Sequence, residues 1–442
     1  MTESKFKSVI GDTLKESWVH FDMCTANTEG RLIAVNPKFL AASWNTQNGG
    51  VAILDPFKPC SVKPDIPLIK GFKGPVLDLE FSPFRTDLLA TASEDCSVKL
   101  FQIPEEGLTK TTHQELQSLP GHVKKVTFVD FNPSVADCLL SASFDDTVKV
   151  WNVVKGEELC SLSVEANPTS VWWNGNGSLL ASCAKNKLLK VFDPRQKKAV
   201  VSVLCHESVK SSKLAWMDSD NLLTCGFTKA NAKEVKHWDI RKVGDDLSCA
   251  PVSTTVVDHS SAVATPYFDK ESRLLYTLGK GETTIHIFDF NTDKVLKCID
   301  FQSQEPATVY GVFDRRSMNY NKCEVDRFVK FSKDALYVVS FKIPRKVDMY
   351  DPALYPPVPA GEPAVAFDAW VGGETKDPVK KKIDEVSTAF VSGDNTFSKS
   401  EGKPAGGDDA KVKELEAKVA ELEAKVKALT DENEELKKQL AA

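Results

Sequence analysis

The sequence predicts an all-β fold: a seven-bladed β-propeller with a C-terminal extension, a flexible linker and a C-terminal α-helical coiled coil. Three observations lead there. Residues 30–345 are short runs of alternating apolar and polar residues, broken by Asp, Asn, Gly and Ser turns, the pattern of consecutive antiparallel strands. Those runs recur at a nearly constant interval. The last stretch, from Ala410 onward, is almost wholly Ala, Glu, Lys, Leu and Val, which is helical text.

The repeat is clearest in two units. Val76-Leu77-Asp78-Leu79-Glu80-Phe81 leads through Leu88-Leu89-Ala90-Thr91-Ala92-Ser93 to Val98-Lys99-Leu100-Phe101. The same grammar returns as Val126-Thr127-Phe128-Val129-Asp130-Phe131, Leu139-Leu140-Ser141-Ala142-Ser143 and Thr147-Val148-Lys149-Val150-Trp151. Looser copies end at Phe192, Trp238 and Phe288, so the closing aromatics are 50, 41, 46 and 50 residues apart. Four-stranded propeller blades repeat at roughly 40–45 residues. A degenerate blade precedes these units, from Leu32 through Trp44 to Leu54, and another follows, from Gly311 to Phe341. Seven blades laid end to end leave two exposed sheet edges, so a strand from the N-terminus is expected to join the last blade.

The third blade carries a matched polar set. Gly121-His122 opens it, Ser143 lies in its second strand, Asp145 in the following turn, and Trp151 closes it. In a WD-repeat blade, imidazole, carboxylate, hydroxyl and indole N–H form one buried hydrogen-bonded chain, so His122, Ser143, Asp145 and Trp151 are expected to be structural. A hydrolase triad would need a nucleophile elbow, and this hydroxyl sits mid-strand. There is also no GxxxxGK, HExxH, GxSxG or calcium-loop motif, and Gly279-Lys280-Gly281 reads as a hairpin turn. The expectation is a protein that is not an enzyme and uses no cofactor or catalytic metal.

Composition narrows the class further. Of 442 residues, 42% are hydrophobic and 27% charged, with a net charge of −6, which argues against a dedicated nucleic-acid binder. No run approaches 18 apolar residues, so no transmembrane segment is expected. The eleven cysteines are odd in number, have no CxxC pair and mostly fall in apolar runs. They read as reduced, buried thiols of a soluble cytosolic protein.

Several strings go beyond any generic repeat. Ser4-Lys5-Phe6-Lys7, Val35-Asn36-Pro37-Lys38-Phe39, Ile103-Pro104-Glu105-Glu106-Gly107-Leu108, Asn321-Lys322-Cys323-Glu324, Ile343-Pro344-Arg345-Lys346, Leu354-Tyr355-Pro356-Pro357 and Ala369-Trp370-Val371-Gly372-Gly373 resemble coronin, in order and spacing, over almost the whole chain. The resemblance implies an F-actin-binding face, an extension packed beneath the propeller, oligomerisation through the tail, and contact with the actin-related-protein branching complex. It also implies a place in the cytoplasm, on the actin cytoskeleton and at the cell cortex. A WD-repeat scaffold for a non-actin complex is the alternative. One departure stands out. Many coronins carry an exposed arginine before the Val35–Phe39 string that contributes to filament binding; Asp22 falls about there in this chain. Arg31 is the nearby substitute, and Lys5, Lys7, Arg345 and Lys346 are the remaining candidate actin-binding cations. Arg345 and Lys346 have a second reading, that they pin the extension to the propeller.

The domains expected are the propeller (1–345), the extension packed on it (346–371), the linker (372–409) and the coiled coil (410–442). In the coil Val412, Leu415, Val419, Leu422, Val426, Leu429, Asn433, Leu436 and Leu440 alternate at spacings of three and four. Val, Asn and the last Leu fall at a, and Leu at d. The flanking charges suit a parallel homo-oligomer. Asn433 favours a dimer, because amides pair best across two strands; trimer and tetramer are the alternatives.

Overall fold

The computed structural model describes residues 4–24, 26, 28–291, 295–345 and 350–386. The chain divides into two units, Met1–Phe397 and Ser398–Ala442, and everything described lies in the first. The coiled-coil positions Val412 to Leu440, and Lys346, fall outside the described residues.

Seven antiparallel sheets form the ring. Blade 1 is Ile33–Val35, Leu40–Ser43, Val51–Leu54 and Leu68–Ile69; blade 2 is Val76–Phe81, Leu88–Ser93, Val98–Gln102 and Gln117–Leu119. Blade 3 is Val126–Phe131, Cys138–Ser143, Thr147–Asn152 and Glu157–Ser163; blade 4 is Pro168–Trp173, Leu180–Ala184, Leu188–Asp193 and Lys198–Leu204. Blade 5 is Lys213–Trp216, Asn221–Phe227, Lys233–Asp239 and Ser253–Asp258. Blade 6 comprises Ala264–Asp269, Leu274–Gly279, Glu282–Asp289 and Leu296–Lys297, with Phe301–Ala307 also pairing on Glu282–Asp289. In blade 7 the chain supplies Val309–Val312, Glu324–Ser332 and Ala335–Lys342, and the outer strand is N-terminal, Ile10–Val19. It runs antiparallel to Ala335–Lys342, from Ile10 opposite Lys342 to Val19 opposite Ala335. Trp18, fully buried, and Phe6 anchor that strand in the blade 7 core. The ring is closed by its own first strand, as edge pairing demands.

The innermost strands of neighbouring blades are tied by side chains. Asp78 Oδ2 accepts from Val129 N at 2.7 Å, Glu80 Oε2 from Phe131 N at 2.6 Å, and Asp130 Oδ2 from Trp173 N at 3.0 Å. Ser170 Oγ repeats the device toward Leu214 N at 3.1 Å. Each carboxylate satisfies an inward N–H that no strand partner reaches.

The extension runs beneath the ring and is longer than composition suggests. Val365 bridges Val135 of blade 3, and Trp370 sits edge-on to Trp173 of blade 4 at 5.8 Å. The chain then turns back: Lys380–Lys381 pair with Val358–Pro359, and Ile383 is 1% exposed in the core that holds Tyr355 and Phe341. Residues 372–386, assigned to the linker by their Gly, Lys and Asp content, are therefore part of the folded body. Ser134 Oγ and Arg195 Nη1 hold them, donating to Lys376 O and Thr375 Oγ1. Among the described residues no helix is long and apolar enough to cross a membrane. All eleven cysteines are free and eight are buried.

Candidate functional site

The polar chain of blade 3 uses a different serine from the one the sequence suggests. His122 Nδ1 lies 2.8 Å from Asp145 Oδ2, and Nε2 lies 2.8 Å from the hydroxyl of Ser141, which also accepts from Trp151 Nε1 at 2.8 Å. Ser143 instead donates to Lys124 O and accepts from Asp145 N, closing the turn. The ladder explains the choice. Leu139 is opposite Trp151, so Ser141 is two residues farther along on the same face and within reach of the indole; Ser143 is four residues away. The imidazole is fully buried and both its nitrogens are occupied, so Ser141 has no approach for a substrate. Burial pushes His122 down against the opposing bond from Asp145, consistent with a neutral ring that donates to Asp145 and accepts from Ser141.

A second chain of this kind escaped the sequence reading. In blade 5 His206 Nδ1 lies 2.8 Å from Glu234 Oε1 and Nε2 3.0 Å from Thr224 Oγ1, and Trp238 Nε1 donates to Thr224 Oγ1 at 2.8 Å. The same register rule holds, with Leu222 opposite Trp238 and Thr224 two residues on. Thr, Glu and a longer third strand replace Ser and the turn Asp. The usable signal was the separation of 18 residues between His206 and Thr224, against 19 between His122 and Ser141.

The loop before blade 1 enters the central channel. Thr28 Oγ1 donates to Leu77 O, and Glu29 reaches across to Lys213 at 2.7 Å and Lys185 at 3.6 Å. A Cβ on Gly30 would lie 2.4 Å from Thr127 O and 2.6 Å from Leu77 O, so only glycine fits between blades 2 and 3 there. Arg31 is then drawn inward. Its guanidinium lies 3.2 Å from Asp78 and from Glu80 and 3.8 Å from Asp130, donates to Val129 O, and stacks 4.4 Å from the Trp172 ring. This corrects the reading of Arg31 as a surface cation: its charge is consumed inside the channel, beside a cavity of about 610 Å3. Burial pushes Asp130 well above the usual carboxylate range, with Glu80 adding to it and Arg31 opposing.

Two of the other candidate cations meet where the extension begins. Lys5 Nζ donates to Ala353 O at 3.3 Å, and Arg345 Nη2 pairs with Asp351 Oδ2 at 2.9 Å while remaining 45% exposed. Asp351 also caps the turn Pro352–Leu354. Lys5 and Arg345 thus hold one turn from two sides; Lys7 is exposed nearby in sequence. Asp22, at the departure point, accepts from Asn45.

The distinctive strings meet in pairs. Lys38 pairs with Glu105 at 3.2 Å, and Phe39 packs with Ile103 and Leu108. Tyr355 donates to Glu324 O at 3.0 Å and its ring meets Tyr320 at 4.7 Å. These strings fasten blade 1 to blade 2 and the extension to blade 7.

Known proteins share this arrangement. Residues 66–102, 113–152 and 156–193 match the WD domain, G-beta repeat, family; residues 336–378 match a type of WD40 repeat; and residues 1–60 match a domain of unknown function, DUF1899. Coronin-A of Dictyostelium discoideum is 30% identical over 380 residues, covering 85% of this chain and 84% of that protein. The chain belongs to the coronin family. Bovine coronin-2A is 30% identical, with 85% of this chain and 73% of that one covered. The coronin-like protein crn1 of Schizosaccharomyces pombe is 27% identical over 88% of this chain. The chain spans only 65% of that relative and 59% of the one from Saccharomyces cerevisiae. The WD40 domain of Toxoplasma gondii coronin superposes with a TM-score of 0.81 at 31% identity, covering 85% of this chain and 97% of that one.

Proposed function

We propose that this coronin binds actin filaments and cross-links them, its propeller supplying the filament-binding surface and its C-terminal helix the oligomer. The observation that carries the reading is membership of the coronin family across 85% of the chain. Arg345 is paired yet half-exposed, and Lys5 and Lys7 are exposed. These three, with Lys346, which lies outside the described residues, are the cations assigned to an acidic filament. Arg31 is not among them. A parallel coil through Val412–Leu440 would place two heads on one particle, and two linked heads cross-link by effective concentration without any new contact. Regulation of the actin-related-protein branching complex through the same tail, and a cortical cytoplasmic location, belong to this reading.

Co-sedimentation of the full chain with filaments, across a salt series, tests it. Binding that weakens as screening shortens toward roughly 8 Å near physiological salt supports an interface carried by cations. Absence of binding at low salt favours the alternative, a WD-repeat scaffold for a non-actin complex.

A further inference from the structure

Two of the eleven thiols are placed differently from the rest. Cys183, in the second strand of blade 4, and Cys205, the first residue beyond its outer strand, are both fully buried with their sulfurs 3.9 Å apart. The backbone sets this approach: Cys205 N donates to Lys187 O at 2.8 Å, in the turn after the second strand. The end of the outer strand thereby folds over that turn to reach the Cys183 sulfur. His206 follows immediately, its ring clamped between Glu234 and Thr224. We propose that Cys183 and Cys205 form a hydroperoxide-reactive pair that closes to a disulfide within blade 4.

The chemistry divides between the two sulfurs. The Cys205 thiolate attacks the O–O bond of the hydroperoxide. Its sulfur is oxidised to the sulfenic acid, and the distal oxygen leaves with the bonding pair and takes up a proton. Cys183 then loses its proton and attacks the Cys205 sulfur; the S–S bond forms, the S–O bond breaks, and the oxygen departs as water. Two thiols lose two electrons in total, and the hydroperoxide gains them.

The surroundings suit these roles. Burial raises Cys205, but the S–H of Cys183 donating to it and the charge of His206 outweigh burial and hold it well below the ordinary thiol range. Cys183 goes well above that range, through the bond it donates and through burial. Burial opposes the charge on His206, yet Cys205 and Glu234 hold it up to about 9. The more accessible Cys60, Cys96 and Cys249 are all pushed up by burial and so remain thiols at neutral pH. Bonding requires the sulfurs to close by roughly 1.9 Å, to the usual length near 2.05 Å. Both sulfurs are sealed from solvent, so the loop beyond His206, whose Val209 is 79% exposed, must open for oxidant to enter.

The test treats the full chain with hydrogen peroxide at neutral pH, blocks remaining thiols, and maps tryptic peptides without reduction. The expected product links residues 156–185 to residues 199–210. The first peptide also contains Cys160, so the link should survive Cys160→Ser and vanish in Cys183→Ser. In Cys183→Ser, Cys205 should accumulate as a sulfenic acid trapped by dimedone, at least about tenfold faster than Cys225 is labelled. Circular dichroism checks that each variant is folded. No link by the time Cys60 is oxidised, or a link that persists in Cys183→Ser, overturns the proposal.

Discussion

Replacing Arg31 by leucine isolates what the channel loop contributes. Leucine keeps much of the apolar stem but removes the only cation within 4 Å of Asp78, Glu80 and Asp130 among the described residues. Breaking a buried ion pair by deleting one partner typically costs 3–5 kcal/mol, because the remaining charge stays uncompensated. Asp78 is fully buried, but Arg31 is 30% and Glu80 21% exposed, so solvent screening places the loss at the lower end, about 3 kcal/mol. Arg31→Lys should lose less, since a point charge satisfies one carboxylate where the guanidinium fork reaches several. Arg31→Leu combined with Asp78→Asn should recover part of the loss by removing the stranded charge. Chemical denaturation followed by tryptophan fluorescence reads all three. Filament co-sedimentation of the folded fraction should be unchanged, since Arg31 lies within the channel. Arg31→Leu stability within about 0.5 kcal/mol of wild type, or folded protein that no longer binds filaments, would refute the reasoning.

Four further outcomes are expected. The folded-state pKa of His122 is lowered by burial, so its contribution to stability is present above the unfolded value near 6.5 and is lost as pH falls below it; thermal midpoints should therefore drop less between pH 6.5 and 5 in His122→Asn than in wild type. His206, raised to about 9, acts in the opposite sense: its contribution is full below about 6.5 and is lost as pH rises through about 9, which a midpoint series from pH 6.5 to 9.5 on wild type and His206→Asn would read. Trp370, fully buried against Trp173, should cost about 3–5 kcal/mol on truncation to alanine and expose residues 358–386 to limited proteolysis. Asn433→Leu should make the isolated 410–442 peptide more heat-stable and its mass by ultracentrifugation less uniform, since no amide pair remains to fix two strands.

What the sequence reveals depends on how local the cause is. Blades 2 and 3 are legible because each strand carries its own alternation, and the closing strand Ile10–Val19 follows from the general cost of open edges. Ser141 was passed over for Ser143 because strand parity puts both hydroxyls on one face; only the register, with Leu139 opposite Trp151, separates them. The His206 set was obscured by chemically equivalent exchanges, Thr for Ser and Glu for Asp. Arg31 looked like a lone surface charge because Asp78, Glu80 and Asp130 lie 47 or more residues away and converge only when the ring closes. Residues 372–386 have linker composition, yet a backbone pairing, the hydrogen bonds from Ser134 and Arg195 and the buried side chain of Ile383 fold them back. That Arg345 pins the extension is one of its two readings in the sequence, and its pair with Asp351 agrees with it; that Lys5 grips the same turn at Ala353 could not be read there.

The central proposal is that the propeller with its extension binds filaments while residues 410–442 link them. Full chain and a fragment ending at residue 386, not 371, should be compared by high-speed and low-speed sedimentation with filaments. The account predicts that both pellet with filaments at high speed and that only the full chain brings bundles down at low speed. A fragment that bundles as well as the full chain, or a full chain that leaves filaments unbound, would contradict it.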